Sequence, residues 1–260
     1  VEPHMFAGYS GGPKLVAPGV AGLDTVMELH SYSMLDSPKA IWGVTEDNPV
    51  HVAIRAIAEQ TGVHFTLDVT LNKDHQITGV YAGRWQVSHP AACRDVRRSA
   101  MRAVAGPFDV VITTNSGHPL DLNLYQAVKG MSAAAQIVKP GGVIISASEC
   151  WDGIPEHGEF KAMLHERESI GELMEMIAQP GYRRHDQWEV QILGQILRKA
   201  RVFLKNGYLS DEQVRRAHLE PTSHIEATLS DALCDAGPDA RVCVLPQGPQ
   251  TIPYLSKDSS

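Results

Sequence analysis

Cysteine, basic charge and long apolar runs are all scarce in this sequence of 260 residues. The four cysteines, Cys93, Cys150, Cys234 and Cys243, lie far apart and form no C-x-x-C pair. This pattern argues against a disulfide scaffold and against a structural zinc site. We therefore expect four reduced thiols in a cytoplasmic protein.

The charge balance and the hydropathy pattern exclude two classes of partner. Lys and Arg number 23 against 30 Asp and Glu, which gives a formal net charge of −7. Nucleic acids and anionic membranes favour basic surfaces, so neither is expected as a partner. No run reaches the roughly 18 apolar residues of a membrane span, and the opening residues lack the apolar segment of a signal peptide.

The remaining composition is that of a globular protein with one or two domains, since 43% of the residues are hydrophobic. Local patterns in the first part predict helices and a hairpin. The predicted elements are a helix at Thr25–His30 capped by Asp24, a helix at Pro49–Gln60, strands at Val63–Leu71 and Gln76–Ala82, and a helix from Ser88 to Val104.

The pattern changes after Gly106-Pro107, which we take as the domain boundary. The apolar run Phe108–Asn115 predicts a strand covered on both faces, a small-residue helix follows at 122–138, and a second buried strand follows at 141–148. This βαβ unit predicts a parallel sheet. Further expected elements are helices at 169–179, at 187–199 and within 210–234, strands at 201–204 and 241–245, and a disordered tail at 256–260.

The loop after the first of these strands is a candidate ligand site, because parallel sheets bind ligands at the carboxyl ends of their strands. Asp121 is placed to cap the next helix, on which Tyr125, Gln126 and Lys129 follow. Gln126 and Lys129 share a helix face, so Lys129 could hold a carboxylate or a phosphate. The alternative is that Lys129 is a surface lysine and Asp121 merely a cap.

A Gly/Pro-rich segment near the start of the chain carries His4, Lys14 and His30 around Ser10-Gly11-Gly12. Backbone amides at consecutive glycines can form an anion-binding nest. The segment matches neither a P-loop nor a G-x-G-x-x-G fingerprint, and its histidines lack HExxH spacing. Spacing alone leaves the function open.

The wider pattern resembles the nickel-pincer-nucleotide-dependent lactate racemase family. The motif runs from His4 through Gly8-Tyr9-Ser10-Gly11-Gly12-Pro13-Lys14 and Pro18-Gly19 to Thr25 and His30. The later segments SGHPLDLNLYQAVKG and QGPQTIPYL are also similar to the family. The resemblance implies two α/β domains with a cleft between them. Residues 1–105 would form the latter part of the N-terminal cofactor-binding domain, and 106–255 a C-terminal domain with a mainly parallel sheet.

The resemblance also implies a cofactor, pyridinium-3,5-bisthiocarboxylic acid mononucleotide, whose sulfur-containing arms hold nickel. Lys14 matches the position that tethers it, His30 matches the nickel ligand, and Ser10, Gly11 and Gly12 would help to bind it. His4 matches one of two acid/base histidines. Tyr125, Gln126 and Lys129 match residues that line the site, with Lys129 a candidate for the substrate carboxylate and Trp188 a possible apolar wall.

The implied activity is racemisation or epimerisation of a 2-hydroxy acid by proton-coupled hydride transfer. The implied partners are that substrate and the proteins that synthesise the cofactor. The family has a stretch before the His4 motif that this sequence lacks, so we expect a fragment that is inactive alone. Two other hypotheses remain: a non-catalytic relative that binds a nucleotide or anion at Ser10–Gly12, and a nicotinamide dehydrogenase, which the missing glycine fingerprint disfavours.

Overall fold

The computed structural model describes residues 1–256, and its α/β chain divides into two compact units, Val1–Met101 and the part from Arg102 onward. Among the described residues, no helix combines the length and apolar character needed to cross a bilayer. The predicted disordered tail at 256–260 lies outside the described residues except for Ser256, whose amide donates to the Val104 carbonyl at 3.0 Å.

The first unit consists of short strands and helices. Its strands are β1 (Pro3–His4), β2 (Gly8–Tyr9), β3 (Thr66–Leu71) and β4 (Ile77–Gly83), which pair as the antiparallel ribbons β1–β2 and β3–β4. Its helices are α1 (Leu23–Leu29), α2 (Tyr32–Leu35), α3 (Pro49–Gln60) and α4 (Trp85–Ala100), with a 3₁₀ helix at Gly12–Leu15. The 3₁₀ helix contacts α3 and α4.

Local sequence signals place α3 and the hairpin correctly. The side chain of Asn48 caps α3 by accepting the amides of Val50 and His51 at 3.0 and 3.3 Å. The predicted hairpin is confirmed, although β3 begins three residues later than predicted and β4 is shifted by one residue.

Two predicted helices of the first unit have wrong boundaries. Helix α1 begins at Leu23 after Gly22, so Asp24 lies in its first turn instead of capping it. Helix α4 begins at Trp85 and ends at Ala100, so Ser88 lies inside it and the next residues form a strand. In both cases the helix starts a few residues before its predicted beginning.

The second unit contains a parallel sheet with helices. Its strands are β5 (Met101–Val104, which begins at the unit boundary), β6 (Phe108–Thr114), β7 (Val138–Ala147), β8 (Arg201–Lys205), β9 (Glu220–Pro221), β10 (Val242–Leu245) and β11 (Ile252–Leu255). Its helices are α5 (Leu124–Ala135), α6 (Phe160–Leu164), α7 (Ile170–Ile177), α8 (Gln187–Lys199), α9 (Asp211–Arg216) and α10 (Ile225–Ala236).

The five-stranded sheet of this unit has the order β10-β6-β7-β8-β9, and all its neighbouring strands are parallel. The predicted βαβ unit is therefore confirmed as β6-α5-β7. Helix α5 packs against α8 and both of these strands, and Val110, Ile144 and Val128 are fully buried. Since α5 starts just beyond the carboxyl end of β6, its first turn stands at the edge where parallel sheets bind ligands.

Candidate functional site

His4 and His30 come together around one aromatic ring in the first unit. The ring centroid of Phe6 lies 4.6 Å from that of His4 and 5.0 Å from that of His30, and both contacts are edge-to-face. The β1–β2 ribbon carries His4, while His30 directly follows α1. The structure thus brings together two of the three predicted side chains of this segment.

The environment of His30 keeps its ring neutral and fixes its orientation. Its Nδ1 lies 2.6 Å from the Val26 carbonyl oxygen, an acceptor, so this nitrogen carries the proton and Nε2 carries the lone pair. Burial lowers the pKa of His30 to about 4, the Val26 bond opposes this shift, and the charge of Lys14 adds to it. A neutral imidazole held by a backbone carbonyl is the usual form of a metal-binding histidine.

Lys14 lies in the 3₁₀ helix, with a partly exposed side chain. Its amide donates to the Gly11 carbonyl at 3.0 Å. Because its ammonium affects the pKa of His30, the third predicted residue also belongs to this neighbourhood.

The Ser10-Gly11-Gly12 loop is bound to the chain's own groups. The Gly12 amide donates to Oδ1 of the buried Asp68 at 2.9 Å, and the Ser10 hydroxyl accepts the Glu2 amide at 3.0 Å. The amide expected to bind an external anion therefore already binds the carboxylate of Asp68.

Gly12 also has a steric reason to be glycine. Its φ is +50°, and a Cβ there would lie 2.4 Å from Cγ of His89. The ring of His89 is buried, and its Nε2 lies 3.0 Å from the Ser10 carbonyl. His89 therefore packs against the Ser10–Gly12 loop and contacts its backbone.

In the second unit, Asn123 caps α5, and the predicted cap Asp121 does not. The Asn123 side chain accepts the Gln126 amide at 3.1 Å. The carboxylate of Asp121 instead accepts the Glu149 amide at 3.1 Å. Asp121 lies two residues too early to reach the free amides of the first turn.

Tyr125, Gln126 and Lys129 are partly exposed on a helix whose neighbouring residues are buried, so they share one accessible face of α5. Trp188, at the start of α8, donates from Nε1 to the Tyr125 hydroxyl at 2.7 Å. Trp188 is 7% exposed, and it therefore orients Tyr125 through a polar contact in addition to packing.

Glu189 lies beside this face and was not predicted. It is completely buried, and within the described residues neither of its carboxylate oxygens has a hydrogen-bond partner. The pKa of Glu189 is raised to about 8, mainly by burial; the Lys129 charge opposes this shift and the Asp186 charge adds to it. The charge of Glu189 in turn adds to the burial that raises the pKa of Tyr125.

The donor set of the first unit fits a metal only with help from another ligand. In residues 1–256, no group of three or more His, Cys, Asp or Glu side chains is arranged to hold a metal ion. His30 offers one imidazole nitrogen of the kind that nickel accepts. A nickel ion at His30 would therefore need its remaining donors from a cofactor, and Lys14 is near enough to act on His30.

Comparison with family models gives a match to almost the whole second unit and to the start of the first. Residues 104–252 match the lactate racemase C-terminal domain, and residues 1–43 match the lactate racemase N-terminal domain. The chain belongs to the lactate racemase family.

Characterised lactate racemases align over most of this chain. The lactate racemase of Thermoanaerobacterium thermosaccharolyticum is 35% identical over 254 residues, covering 97% of this chain and 59% of the relative. That of Lactiplantibacillus plantarum is 34% identical over 250 residues, covering 95% and 58%. The chain thus spans less than two thirds of the length of these curated relatives.

Two solved structures share the fold of this chain. The lactate racemase apoprotein from T. thermosaccharolyticum matches with a TM-score of 0.91 at 35% identity, over 97% of this chain and 61% of that chain. A protein from Thermotoga maritima matches with a TM-score of 0.66 at 17% identity, over 98% and 65%, which shows a shared fold.

Sequence reasoning missed Phe6, Asp68 and Glu189 in this lactate racemase relative. The signal for Asp68 was its position in β3, where Thr66, Asp68 and Thr70 alternate with Leu67, Val69 and Leu71. The polar set is the one turned toward the interior, so a charged residue at its centre needs a partner. Phe6 and Glu189 carried no such signal, because their roles depend on tertiary contacts.

Proposed function

We propose that this chain forms part of a racemase or epimerase that interconverts the configurations of a 2-hydroxy acid. Membership of the lactate racemase family supports the reaction class. The observation that carries the proposal is the contact of both His4 and His30 with one ring, Phe6, beside the charge of Lys14.

The cofactor that we assign is the nickel-pincer mononucleotide implied by the resemblance. His30 would supply an imidazole nitrogen to nickel, since its Nδ1 proton is engaged by the Val26 carbonyl. The amine of Lys14 would tether the nucleotide. When bound, this group supplies the acceptor and donor of the substrate hydride.

His4 is the residue that we assign to proton exchange with the substrate hydroxyl. Its Nδ1 accepts the Ala7 amide at 3.3 Å, so a neutral His4 carries its proton on Nε2. Histidine exchanges protons near neutral pH, which suits a hydroxyl that is deprotonated and reprotonated in each turnover. The edge-to-face contact with Phe6 restricts the tilt of the His4 ring.

In the second unit, we assign Lys129 to the substrate carboxylate. Gln126 presents a side-chain amide on the same helix face, and Tyr125 a hydroxyl held by Trp188. Charge-assisted hydrogen bonds from an ammonium to a carboxylate are among the stronger polar contacts in proteins, so Lys129 would dominate this recognition.

Nickel content and intact mass test the cofactor assignment. The chain is coexpressed with the cofactor-synthesis proteins, and the wild type should carry close to stoichiometric nickel with a mass increase located at Lys14. His30→Ala should lose most of the nickel, and Lys14→Ala should lose the mass increase. His224→Ala, which changes an exposed histidine, is the matched control and should behave as wild type. Wild-type protein with neither nickel nor an adduct would refute the assignment.

Chiral analysis of products tests the reaction. Protein expressed from the complete gene is incubated with single enantiomers of lactate and of larger 2-hydroxy acids, and the opposite enantiomer is measured over time. His4→Ala should abolish its formation while nickel is retained. Nickel-loaded protein that converts none of these acids would instead favour a non-catalytic binding relative.

A further inference from the structure

A separate cavity of about 340 Å³ lies in the first unit, lined mainly by α3 and α4. Three arginines line it: Arg55 from α3, and Arg94 and Arg97 from α4. None of the described lining residues is acidic, and neither His4, Lys14 nor His30 is among them. The cavity is therefore cationic. It adjoins the Ser10–Gly12 loop, because its lining residue His89 contacts the Ser10 carbonyl, but it does not include the predicted nickel ligand or tether.

Two of the side chains that line this cavity are buried and carry hydrogen-bonding atoms without partners. Trp85 is 2% exposed and His51 is 4% exposed, and within the described residues Nε1 of Trp85 and Nδ1 of His51 have no hydrogen-bond partner. A buried polar atom without a partner is costly, so both atoms point to a ligand that completes them. The indole N–H can only donate.

The histidines of the cavity are neutral, which leaves the arginines to set its charge. The rings of His51 and His89 stack with centroids 5.8 Å apart and planes 20° apart. Burial lowers the pKa of His51 to about 4, with the charges of His89 and Arg55 adding to the shift. Burial also lowers the pKa of His89, which the Ser10 bond and the charge of Asp68 oppose.

His51 adds an acceptor to this set of donors. Its ring also forms a hydrogen bond with the backbone of Ala7. This bond raises the pKa of His51, so it favours a protonated ring nitrogen at that contact. Since Nδ1 is the nitrogen without a partner, a neutral His51 presents a lone pair at this position. A complementary ligand carries anionic oxygens for the arginines and for Trp85, and one hydroxyl for His51.

We propose that this cavity binds a phosphoryl group, either as inorganic phosphate or as a sugar phosphate. Arginine guanidinium groups match phosphate oxygens in charge and geometry. Monohydrogen phosphate offers a P–OH to His51, and a sugar phosphate offers a ribose hydroxyl. The volume is in the range of small-molecule sites and exceeds the need of phosphate alone. This site goes beyond the proposed racemase function and does not depend on it.

Isothermal titration calorimetry of the purified chain, without nickel or cofactor, tests the site. Inorganic phosphate and ribose 5-phosphate should both bind in the millimolar range or tighter, while ribose and acetate should not. Tighter binding of ribose 5-phosphate identifies a sugar phosphate as the ligand, and equal binding identifies the phosphoryl group alone. No heat with either phosphate at 10 mM, or equal binding of acetate, overturns the proposal.

Charge variants on the two helices locate the binding. The double variant Arg55→Gln/Arg94→Gln should weaken phosphate binding by about tenfold or more, because each substitution removes a charge that lines the cavity. Arg98→Gln is the matched control, since Arg98 lies on α4 outside the lining and pairs with Asp95. Trp85→Phe should also weaken binding, by removing one donor at nearly constant shape. Circular dichroism checks that each variant folds, and equal losses in the Arg98 variant would refute the location.

Discussion

Trp188 donates its indole N–H to the hydroxyl of Tyr125 across 2.7 Å, which joins the start of α8 to the first turn of α5. Gln126 lies in the same turn and Lys129 in the next one, so α8 helps to fix the orientation of the candidate substrate face. The rings of Phe160 and Tyr125 also make an edge-to-face contact with centroids 5.4 Å apart, which further limits the motion of Tyr125. Tyr125 is therefore restrained both by a polar contact and by packing.

The Trp188–Tyr125 pair should behave as one energetic unit. Tyr125→Phe should lower the free energy of unfolding by about 1–3 kcal/mol, because it removes the acceptor from a buried donor. Trp188→Phe should cost a similar amount or more, since it also removes buried volume. The double variant should lose about 1 kcal/mol less than the sum, as measured by urea unfolding. Strict additivity would show that the bond contributes nothing to stability.

Glu189 should make the protein less stable as the pH rises from about 4.5 to about 8. Its folded pKa of about 8 lies above the usual 4.5, so the folded state holds this proton more tightly than the unfolded state. Stability is therefore lost as the proton leaves. Glu189→Gln should flatten this dependence and raise the free energy of unfolding at pH 8 by several kcal/mol, since each pKa unit is about 1.4 kcal/mol.

Urea unfolding at pH 5 and pH 8 measures the effect of Glu189. Glu175→Gln on α7 is the control, because Glu175 is an exposed carboxylate and its removal should leave the pH dependence unchanged. If Glu189→Gln and wild type differ equally at both pH values, the carboxyl does not titrate as inferred. Lys129→Met should lose more stability than wild type as the pH rises, because the Lys129 charge lowers the pKa of Glu189 and its removal raises that pKa.

Asp68 should stabilise the Ser10–Gly12 loop through its bond to the Gly12 amide. Asp68→Ala leaves that buried amide without its acceptor, so the free energy of unfolding should fall by about 1–3 kcal/mol. Asp68→Asn keeps a carbonyl oxygen at the same position and should recover most of the loss. Equal losses in the two variants would mean that the amide bond is not the source of the stability.

Gly12 and Gly62 form a matched pair for separating backbone strain from a steric clash. Both have positive φ, +50° and +70°, but a Cβ on Gly62 meets open space and one on Gly12 meets the ring of His89. Gly62→Ala should cost about 1 kcal/mol for the left-handed backbone alone. Gly12→Ala should cost clearly more, measured as a lower thermal midpoint. Equal shifts would show that His89 moves aside freely.

The sequence is a good guide to elements whose limits are set locally. The predicted helices Pro49–Gln60 and Gln187–Lys199 are confirmed at both ends, because their apolar periodicity and end residues all lie within the helix and its flanks. The βαβ unit is confirmed for a similar reason, since a buried parallel strand is a continuous apolar run.

Elements that depend on distant partners were predicted less well. Residues 101–104 were assigned to a helix, yet they form β5, whose partner β11 lies some 150 residues away. The alternation in β3 predicts a strand but not its buried face. Here the apolar side, with Leu67 at 61% exposure and Leu71 at 53%, is turned outward.

The candidate site shows the same limit. The motif that contains His4, Lys14 and His30 cannot show that Phe6 contacts both imidazoles. It also cannot show that Asp68, far along the chain, binds the Gly12 amide. Contacts of this kind follow from the fold, so only coordinates reveal them.

The closing segment of the chain has a further consequence. A Cβ atom at Gly248 would lie 2.3 Å from the Thr114 carbonyl oxygen and 3.0 Å from Cα of Gly130. This segment therefore packs closely against the end of β6 and against α5. The β11 strand then pairs with β5, the first strand of the unit. Trimming the chain back to Pro246 would therefore expose the helix that carries Lys129. Affinity tags and fusion partners are best joined beyond Ser256, so that this closing segment is kept.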